Sequence, residues 1–366
     1  MKKRSWTLLC VIMLLVFAAG WFWYIQARKG ENPVMSREGK ANQDLEIVNP
    51  SEKLTLLEDG LSVMQYDEEY GFQQFLDAGG ASTDEEVVLY LMTQVLDGVS
   101  GLQFRNDLFG CSTIQSINAQ QEILFGRNFD WENSQALIIQ SSPKDAYASI
   151  ATVNLDFIQN GTSIPLDRLP DDVLAQIALY APLDGMNEKG LVVSVNMIQD
   201  SDEIAQSGKK QNLTTTTAIR MLLNKAADVE EAIQLLQAYD LHSSMGMMIH
   251  FAIADASGRS VVVEYVNNEL HVIPTPVVTN FYLTPGEKYR QGSAQSQERY
   301  DILMNLLEEQ KTMDMEQVRD ALDRVSKDNF DEFASTEWSI VYNLHTLEAH
   351  YYHREHYDKR YIIRME

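Results

Sequence analysis

The sequence has 366 residues, of which 45% are hydrophobic and 9% aromatic, and this composition is typical of a globular protein. Acidic residues outnumber basic ones by 53 to 29, which gives a formal net charge of -24. Because that charge repels phosphate backbones, the sequence argues against nucleic acid as a partner.

The N-terminus contains a predicted membrane segment. Three basic residues within the first four positions precede a run of twenty uncharged residues, 6–25. Twenty helical residues span about 30 Å, the thickness of a bilayer core, and the preceding positive charges favour a cytoplasmic N-terminus. We therefore expect residues 1–29 to form a transmembrane anchor, with the catalytic part extracytoplasmic. A cleaved signal peptide and a secreted protein are the alternative, because small residues at 18–20 offer a cleavage site.

The next two segments are predicted to be a linker and a small helical pro-segment. Residues 30–53 are polar and rich in turn formers, which indicates a linker. Within residues 54–110, apolar positions recur at helical spacing over 72–76 and 85–96, and Ser82 to Glu85 resembles a capping box for the second helix.

From residue 111 onward, blocks of short strands alternate with helices. Strands are predicted over 112–117, 123–127, 136–140, 148–155, 191–197, 248–254, 260–266, 270–273, 277–279, 339–344, 349–353 and 360–364. Helices are predicted over 214–226, 229–238, 294–309 and 315–325. This order predicts one α+β domain over 111–366, in which helices cover the outer faces of antiparallel sheets.

The chain has two cysteines, Cys10 inside the apolar run and Cys111 at the start of the first downstream strand. The part beyond the anchor therefore carries a single thiol and cannot form an internal disulfide. A free cysteine often serves as a small buried apolar residue, and that is the alternative to a reactive role for Cys111.

The neighbours of Cys111 favour the reactive role. If the bond between Gly110 and Cys111 is cut, the new α-amine, with an unperturbed pKa of about 7.7 to 8.0, lies on the same residue as the thiol. Arg127 is expected to favour the thiolate, and Asp130 to orient the α-amine. Because Gly110 has no side chain, the thiol of Cys111 can reach the carbonyl of Gly110, which fits self-cleavage of the chain.

Four motifs carry a resemblance to a known family. They are Cys-Ser-Thr at 111–113, Gly-Arg-Asn-Phe-Asp-Trp at 126–131, Asp-Gly-Met-Asn-Glu-Lys-Gly-Leu at 184–191 and His-Phe-Ala-Ile-Ala-Asp-Ala-Ser-Gly at 250–258. With these motifs residues 111–366 resemble the choloylglycine hydrolases, the linear amide hydrolases that include bile salt hydrolase, penicillin V acylase and acid ceramidase. The spacing agrees, since Arg127 follows Cys111 by sixteen positions and Asp130 follows it by nineteen.

The resemblance implies a four-layer αββα sandwich of the N-terminal-nucleophile hydrolase type. It implies hydrolysis of a linear carbon-nitrogen bond in a small N-acyl amide through a thioester, after cleavage before Cys111, with no metal or cofactor. The site residues that it implies are Cys111 as nucleophile, Arg127 beside it, Asp130 on the α-amine, Asn196 in the oxyanion hole, Asn280 as a second active-site asparagine that also holds the oxyanion, and Arg299 as an active-site arginine that comes late in the sequence.

Two other functions remain open at this point. An acyltransferase would pass the acyl group from the same thioester to an amine instead of water. An anchored binding protein would keep the pocket without the chemistry. Residues 156–185 and 281–298 are the expected rims of the pocket, and a homo-oligomer is compatible with the sequence.

Overall fold

The computed structural model of the chain describes residues 44–95, 102–104, 110–132, 134–160, 169–200, 202–327 and 335–365. The predicted anchor, residues 1–29, lies outside these ranges, as do residues 30–43 of the predicted linker. Within the described ranges, no helix combines the length and the apolar character that crossing a membrane requires.

Two large sheets form the centre of the described structure. The first has the strand order β1 (Asp44–Ile47), β20 (Lys359–Arg364), β19 (Glu348–His353), β18 (Ser335–Asn343), β6 (Ile123–Trp131), β5 (Gly110–Ile117) and β17 (Val277–Val278). The second has the order β16 (Glu269–Pro274), β15 (Ser260–Val266), β14 (Ile249–Ala254), β11 (Val192–Met197), β10 (Asp184–Asn187), β8 (Ser149–Asn154), β7 (Ala136–Ser141), β3 (Leu61–Tyr66) and β2 (Thr55–Glu58). Two short pairs join β4 (Leu102–Phe104) to β9 (Ile158–Asn160) and β12 (Asn212–Thr214) to β13 (Asp240–His242).

Five of the seven α-helices in the described ranges pack on the two large sheets. In chain order the seven are α1 (Phe72–Asp77), α2 (Asp84–Tyr90), α3 (Asp171–Leu179), α4 (Thr215–Lys225), α5 (Val229–Ala238), α6 (Ala294–Glu309) and α7 (Met315–Asp323). Helices α3, α4 and α5 pack on the nine-stranded sheet, and α6 and α7 pack on the seven-stranded sheet, while β11 of one sheet contacts β5 of the other. The prediction of a mixed sandwich with helices outside the sheets is therefore confirmed.

Strand β6 lies in the middle of this sandwich, between β5 and β18. All nine of its residues are buried, including Arg127, Asn128 and Asp130. Polar groups that are removed from water need partners inside the protein. The position of β6 thus forces its charged residues into a fixed internal network.

The predictions upstream of residue 110 need correction. Residues 44–47 form β1, which pairs in parallel with β20, so the linker prediction is wrong for these four residues. Residues 54–110 are not purely helical, because β2 and β3 form a hairpin at the edge of the nine-stranded sheet and β3 pairs with β7. The turn between them contains Asp59 and Gly60, with φ of 84° at the glycine. An Asp-Gly pair between two apolar runs is a hairpin signal, and the helical periodicity further along obscured it.

The predicted helices of this segment exist with shifted ends. Helix α2 begins after Thr83, whose Oγ1 accepts the amide N–H of Glu86 at 3.2 Å, while the Ser82 amide donates to Glu86 Oε2 at 2.7 Å. The cap therefore lies one residue later than the predicted box from Ser82 to Glu85. The helix ends at Tyr90 and continues as a π-helical turn over Leu91–Val95. Helix α3, which falls inside a predicted pocket rim, was not expected.

Candidate active site

Cys111 is the second residue of β5 and is fully buried. It pairs with Phe129 of β6, and the chain is continuous from Gly110, so that its nitrogen is a peptide amide. That amide donates to Asn280 Oδ1 at 2.9 Å, and Arg127 Nη2 lies 3.4 Å from the sulfur. The thiol and the backbone nitrogen of one residue thus each contact a predicted site residue.

Arg127 is held by the opposite sheet. Its Nη1 donates to the carbonyl of Leu183 at 2.9 Å and to the carboxylate of Asp184, and its Nη2 donates to the carbonyl of Val195 at 3.1 Å. Both Arg127 and Asp184 are fully buried. Because its planar guanidinium is fixed by three acceptors, the group that faces the sulfur of Cys111 has a set direction.

Asp184 was missed as a site residue, although it opens the motif at 184–191. Besides Arg127, it accepts from Trp338 Nε1 at 3.3 Å and from Tyr342 Oη at 2.9 Å. Burial, together with the nearby Asp184 charge, raises the pKa of Tyr342 well above its usual value, so the phenol stays a donor. Asp184 therefore supplies the counter-charge that lets Arg127 be buried beside the thiol.

Asp130 has three donors. Its Oδ2 lies 3.1 Å from Arg299 Nη1 and 3.2 Å from Lys327 Nζ, and its Oδ1 accepts from Thr336 Oγ1 at 2.8 Å. The sequence predicted Asp130 as the group that orients the nitrogen of Cys111. In the continuous chain that nitrogen donates to Asn280 instead. Lys327 and Thr336 lie outside the four motifs, and nothing in the sequence pattern pointed to them.

Asn280 and Arg299 connect the two ends of this network. Arg299 Nη2 donates to Asn280 Oδ1 at 2.8 Å, and its Nη1 donates to the carbonyl of Cys111 at 3.1 Å. Asn280 Nδ2 donates to the carbonyl of Met197 at 2.6 Å. Two donors on one atom of the amide and an acceptor on the other determine its orientation. Asn280 therefore presents an acceptor to Cys111, contrary to the prediction that its N–H holds the oxyanion.

Asn196 lies on β11, close to this network but outside it. Its Nδ2 is 3.4 Å from the carbonyl of Val278, and its Oδ1 accepts from Ser194 Oγ at 3.2 Å. The structure thus brings five of the six predicted residues into one connected set, namely Cys111, Arg127, Asp130, Asn280 and Arg299. Asn196 is bonded to β17, the strand that precedes Asn280.

Burial raises the pKa of the Cys111 thiol, while the neighbouring charge of Arg127 and its hydrogen bond act in the opposite direction. The carboxylate of Asp130 adds to the increase, and Arg299 opposes it. The sequence predicted that Arg127 favours the thiolate, and the direction of its effect is as expected. In the continuous chain the cost of burying the charge is the larger effect, so Cys111 is held as the neutral thiol.

A second buried pair supports the segment that carries Asn280. His250 Nδ1 lies 3.0 Å from Glu264 Oε1, and its Nε2 lies 2.6 Å from the carbonyl of Thr279. The ring of His250 thus bridges a buried carboxylate and a backbone carbonyl. Glu264 also accepts from the amides of Leu283 and Thr284, at 2.8 and 2.7 Å. The pair therefore fixes the backbone on both sides of Asn280.

Two comparisons of the sequence with known proteins found similarity. The family described as acyl-coenzyme A:6-aminopenicillanic acid acyl-transferase matches residues 176–356. An uncharacterized protein of Paramecium bursaria Chlorella virus 1 is 33% identical over 103 residues, which are 26% of this chain and 37% of the viral protein. The chain thus spans little more than a third of that relative.

Two solved structures are similar. A conjugated bile acid hydrolase from Clostridium perfringens superposes with a TM-score of 0.53 and 18% identity, over 70% of this chain and 92% of that one. A penicillin V acylase from Agrobacterium tumefaciens has a TM-score of 0.46 and 18% identity, over 66% and 83% of the two chains. The described sandwich therefore has the same fold as the conjugated bile acid hydrolase, and residues 176–356 are similar to the acyl-transferase family.

Proposed function

We propose that the chain is a cysteine N-terminal-nucleophile enzyme that hydrolyses a linear acyl amide through a thioester, once the bond before Cys111 has been cut. One observation carries this proposal. Arg127 contacts the sulfur of Cys111 and Asn280 accepts from its nitrogen, so that both groups needed by such an enzyme are already positioned.

The first step of the proposal is self-cleavage. The sulfur of Cys111 adds to the carbonyl carbon of Gly110, the bond from that carbon to the Cys111 nitrogen breaks, and the thiol proton ends on the new α-amine. Water then opens the thioester and leaves a carboxylate on Gly110 and a free thiol. A Cβ at position 110 would lie 2.6 Å from Lys327 Nζ and 2.8 Å from Asp130 Oδ2, so a larger residue would displace the ends of these two side chains.

The second step is turnover on a small N-acyl amide. The α-amine, held by Asn280 Oδ1, takes the thiol proton, and Arg127 stabilises the thiolate as it attacks the amide carbonyl. The departing amine takes the proton, and water releases the acid. Asn196 is the proposed donor to the oxyanion, because its 3.4 Å bond to the carbonyl of Val278 is long and therefore weak. No metal or cofactor is assigned to these steps.

An acyltransferase is the second candidate, and the description of the matched family favours it. The same thioester would then transfer its acyl group to an amine. A product assay with a competing amine distinguishes the two, since the hydrolase proposal fails if transfer dominates at modest amine concentration. If the chain is instead an anchored binding protein, it should stay intact and its thiol should stay unlabelled.

We also propose that residues 1–29 anchor the enzyme, with its catalytic part outside the cytoplasm.

The test is intact mass and N-terminal sequencing of a chain that begins at residue 30. Wild type should yield a fragment that begins at Cys111, whereas Cys111→Ala should stay whole. Lys189→Met, at an exposed lysine paired with Glu188, should be cut like wild type. If wild type and Cys111→Ala both stay whole, the α-amine never forms and the proposed mechanism is wrong.

A further inference from the structure

We propose that Lys327 promotes the cleavage before Cys111 and contributes little to later turnover. The proposal rests on the function proposed above, because it assigns a residue to the first of its two steps. None of the motifs that identify the family contains Lys327, which follows helix α7 in the sequence.

Lys327 is fixed next to the bond that would be cut. If a Cβ were added to Gly110, the nearest atom outside the adjoining residues would be Lys327 Nζ at 2.6 Å. The lysine backbone is held at both its N–H and its carbonyl, since its amide donates to Thr336 Oγ1 and its carbonyl accepts from the Thr336 amide, each at 2.9 Å. Its side chain is only 14% exposed. The ammonium group of Lys327 thus has a fixed position in the site, largely shielded from solvent.

The ammonium of Lys327 is also a second positive charge on a carboxylate that Arg299 already contacts. Asp130 is contacted by Arg299, Lys327 and Thr336, so one carboxylate serves two cations. Arg299 has further acceptors in Cys111, Asn280 and Ser296. Across the described residues, the ammonium of Lys327 has Asp130 as its recorded ion-pair partner, at 3.2 Å. An ammonium has three donors, so Lys327 can serve a new anion beside it without abandoning Asp130.

Cleavage creates such an anion beside the lysine. When the sulfur of Cys111 adds to Gly110, negative charge builds on the Gly110 oxygen, and hydrolysis of the thioester leaves a carboxylate on the same residue. A cation that is already positioned stabilises both species without reorganisation. Arg127 contacts the sulfur, and Arg299 contacts the carbonyl of Cys111, on the far side of the bond from Gly110. Lys327 is therefore the cation beside Gly110, the residue whose carbonyl carbon is attacked in cleavage.

The test follows cleavage and turnover separately in the chain that begins at residue 30. A time course of cleavage by intact mass during cell-free synthesis compares wild type with Lys327→Met, Lys327→Gln and Lys327→Arg. We expect the two neutral variants to be cut at least about tenfold more slowly, and the arginine variant to recover much of the rate. Lys189→Met should be cut at the wild-type rate.

The readout that separates this role from a structural one is turnover per cleaved chain. Once cleavage is complete, kcat/KM of the neutral variants on an N-acyl amide should lie within about twofold of wild type. The proposal for Lys327 is wrong if a neutral variant with the wild-type melting temperature is cut as fast as wild type, and the proposed function is then unaffected. It is also wrong if the cleavage rate and kcat/KM of the neutral variants fall by the same factor. Failure of wild type itself to be cut would overturn both.

Discussion

The segment upstream of the nucleophile and the cluster around Cys111 are held by different forces. Residues 44–95 are anchored by strand pairing and by buried apolar side chains such as Leu61, Met64 and Phe75, each 0% exposed. The cluster is held by buried charges, in the pairs Arg127 with Asp184 and Arg299 with Asp130. Apolar contacts tolerate small changes of shape, whereas buried ion pairs fail when one partner is removed.

The upstream segment contributes β1 to the seven-stranded sheet and β2 and β3 to the nine-stranded sheet, so it is part of both. Cutting the single bond before Cys111 breaks none of these contacts. We therefore expect the segment to remain bound after cleavage as the smaller chain of a two-chain enzyme.

The largest expected effect is that of removing the upstream segment. A chain that begins at residue 111 loses the strands β1 to β4 and the helices α1 and α2, and we expect it to be insoluble or to lack a cooperative thermal transition. A chain that begins at residue 30 is the control and should melt cooperatively. The measurement is differential scanning calorimetry of both. A folded, active product from the shorter chain would show that the segment is a removable pro-peptide.

The next largest effect is expected for Arg127→Met. It leaves Asp184 buried without its cation, which costs about 3 to 5 kcal/mol, and it removes the group that contacts the sulfur. We expect loss of activity together with a lower urea midpoint. The double variant Arg127→Met with Asp184→Leu should recover part of the stability and none of the activity. Equal instability of the single and double variants would contradict the assignment of Asp184 as counter-charge.

Phe75→Ala should cost about 3 kcal/mol of stability, because it leaves a cavity. The ring of Phe75 lies 5.2 Å from that of Tyr90 and 5.6 Å from that of Tyr180, so the cavity opens inside an aromatic cluster. Leu89→Ala, at a side chain that is 56% exposed, is the matched control and should change stability by less than about 0.5 kcal/mol. Unlike Arg127→Met, Phe75→Ala should leave turnover per folded chain unchanged. A parallel loss of turnover would mean that the upstream core also shapes the site.

How far the sequence predicts the molecule differs between the same two regions. Cys111, Arg127 and Asp130 could be predicted because two adjacent strands place them at a fixed spacing, sixteen and nineteen residues apart. Asn280 and Arg299 followed from the resemblance, yet their contacts could not be predicted. Which atom of the Asn280 amide faces Cys111 depends on Met197 and Arg299, which only the fold brings together.

There are also physical reasons why the sequence analysis did not predict β1 or the role of Lys327. Strand β1 has four residues, and its partner β20 lies at the other end of the chain, so no local pattern reveals the pairing. Lys327 is a lone lysine after a helix, and sequence alone does not distinguish it from a solvated one. Asp184 could have been found, because an acidic residue that opens a buried strand needs a cation or several donors.

The smallest effect concerns a contact between the upstream segment and the loop at Met245. Asp84, at the start of α2, accepts from the amide of Met245 at 2.7 Å and is 8% exposed. Burial raises the pKa of this carboxyl to about 6. A carboxyl with a raised pKa in the folded state stabilises the protein fully below its unfolded pKa of about 4, and this contribution is lost as the pH rises through about 6. Stability from this group therefore declines between about pH 4 and pH 6.

Asp84→Asn removes the charge and keeps an oxygen that can accept from the Met245 amide. We expect the variant to be more stable than wild type by about 1 to 2 kcal/mol near neutral pH, and the difference to vanish near pH 4. Urea unfolding of both proteins at several pH values measures this difference, and Asp77→Asn, on the exposed side of α1, is the control. A difference that does not vary with pH would mean that the ionised carboxylate is stabilised as well as the neutral form. The contact would then act as a charged anchor between the upstream segment and the loop at Met245, which would place a buried charge in the region that apolar packing otherwise holds.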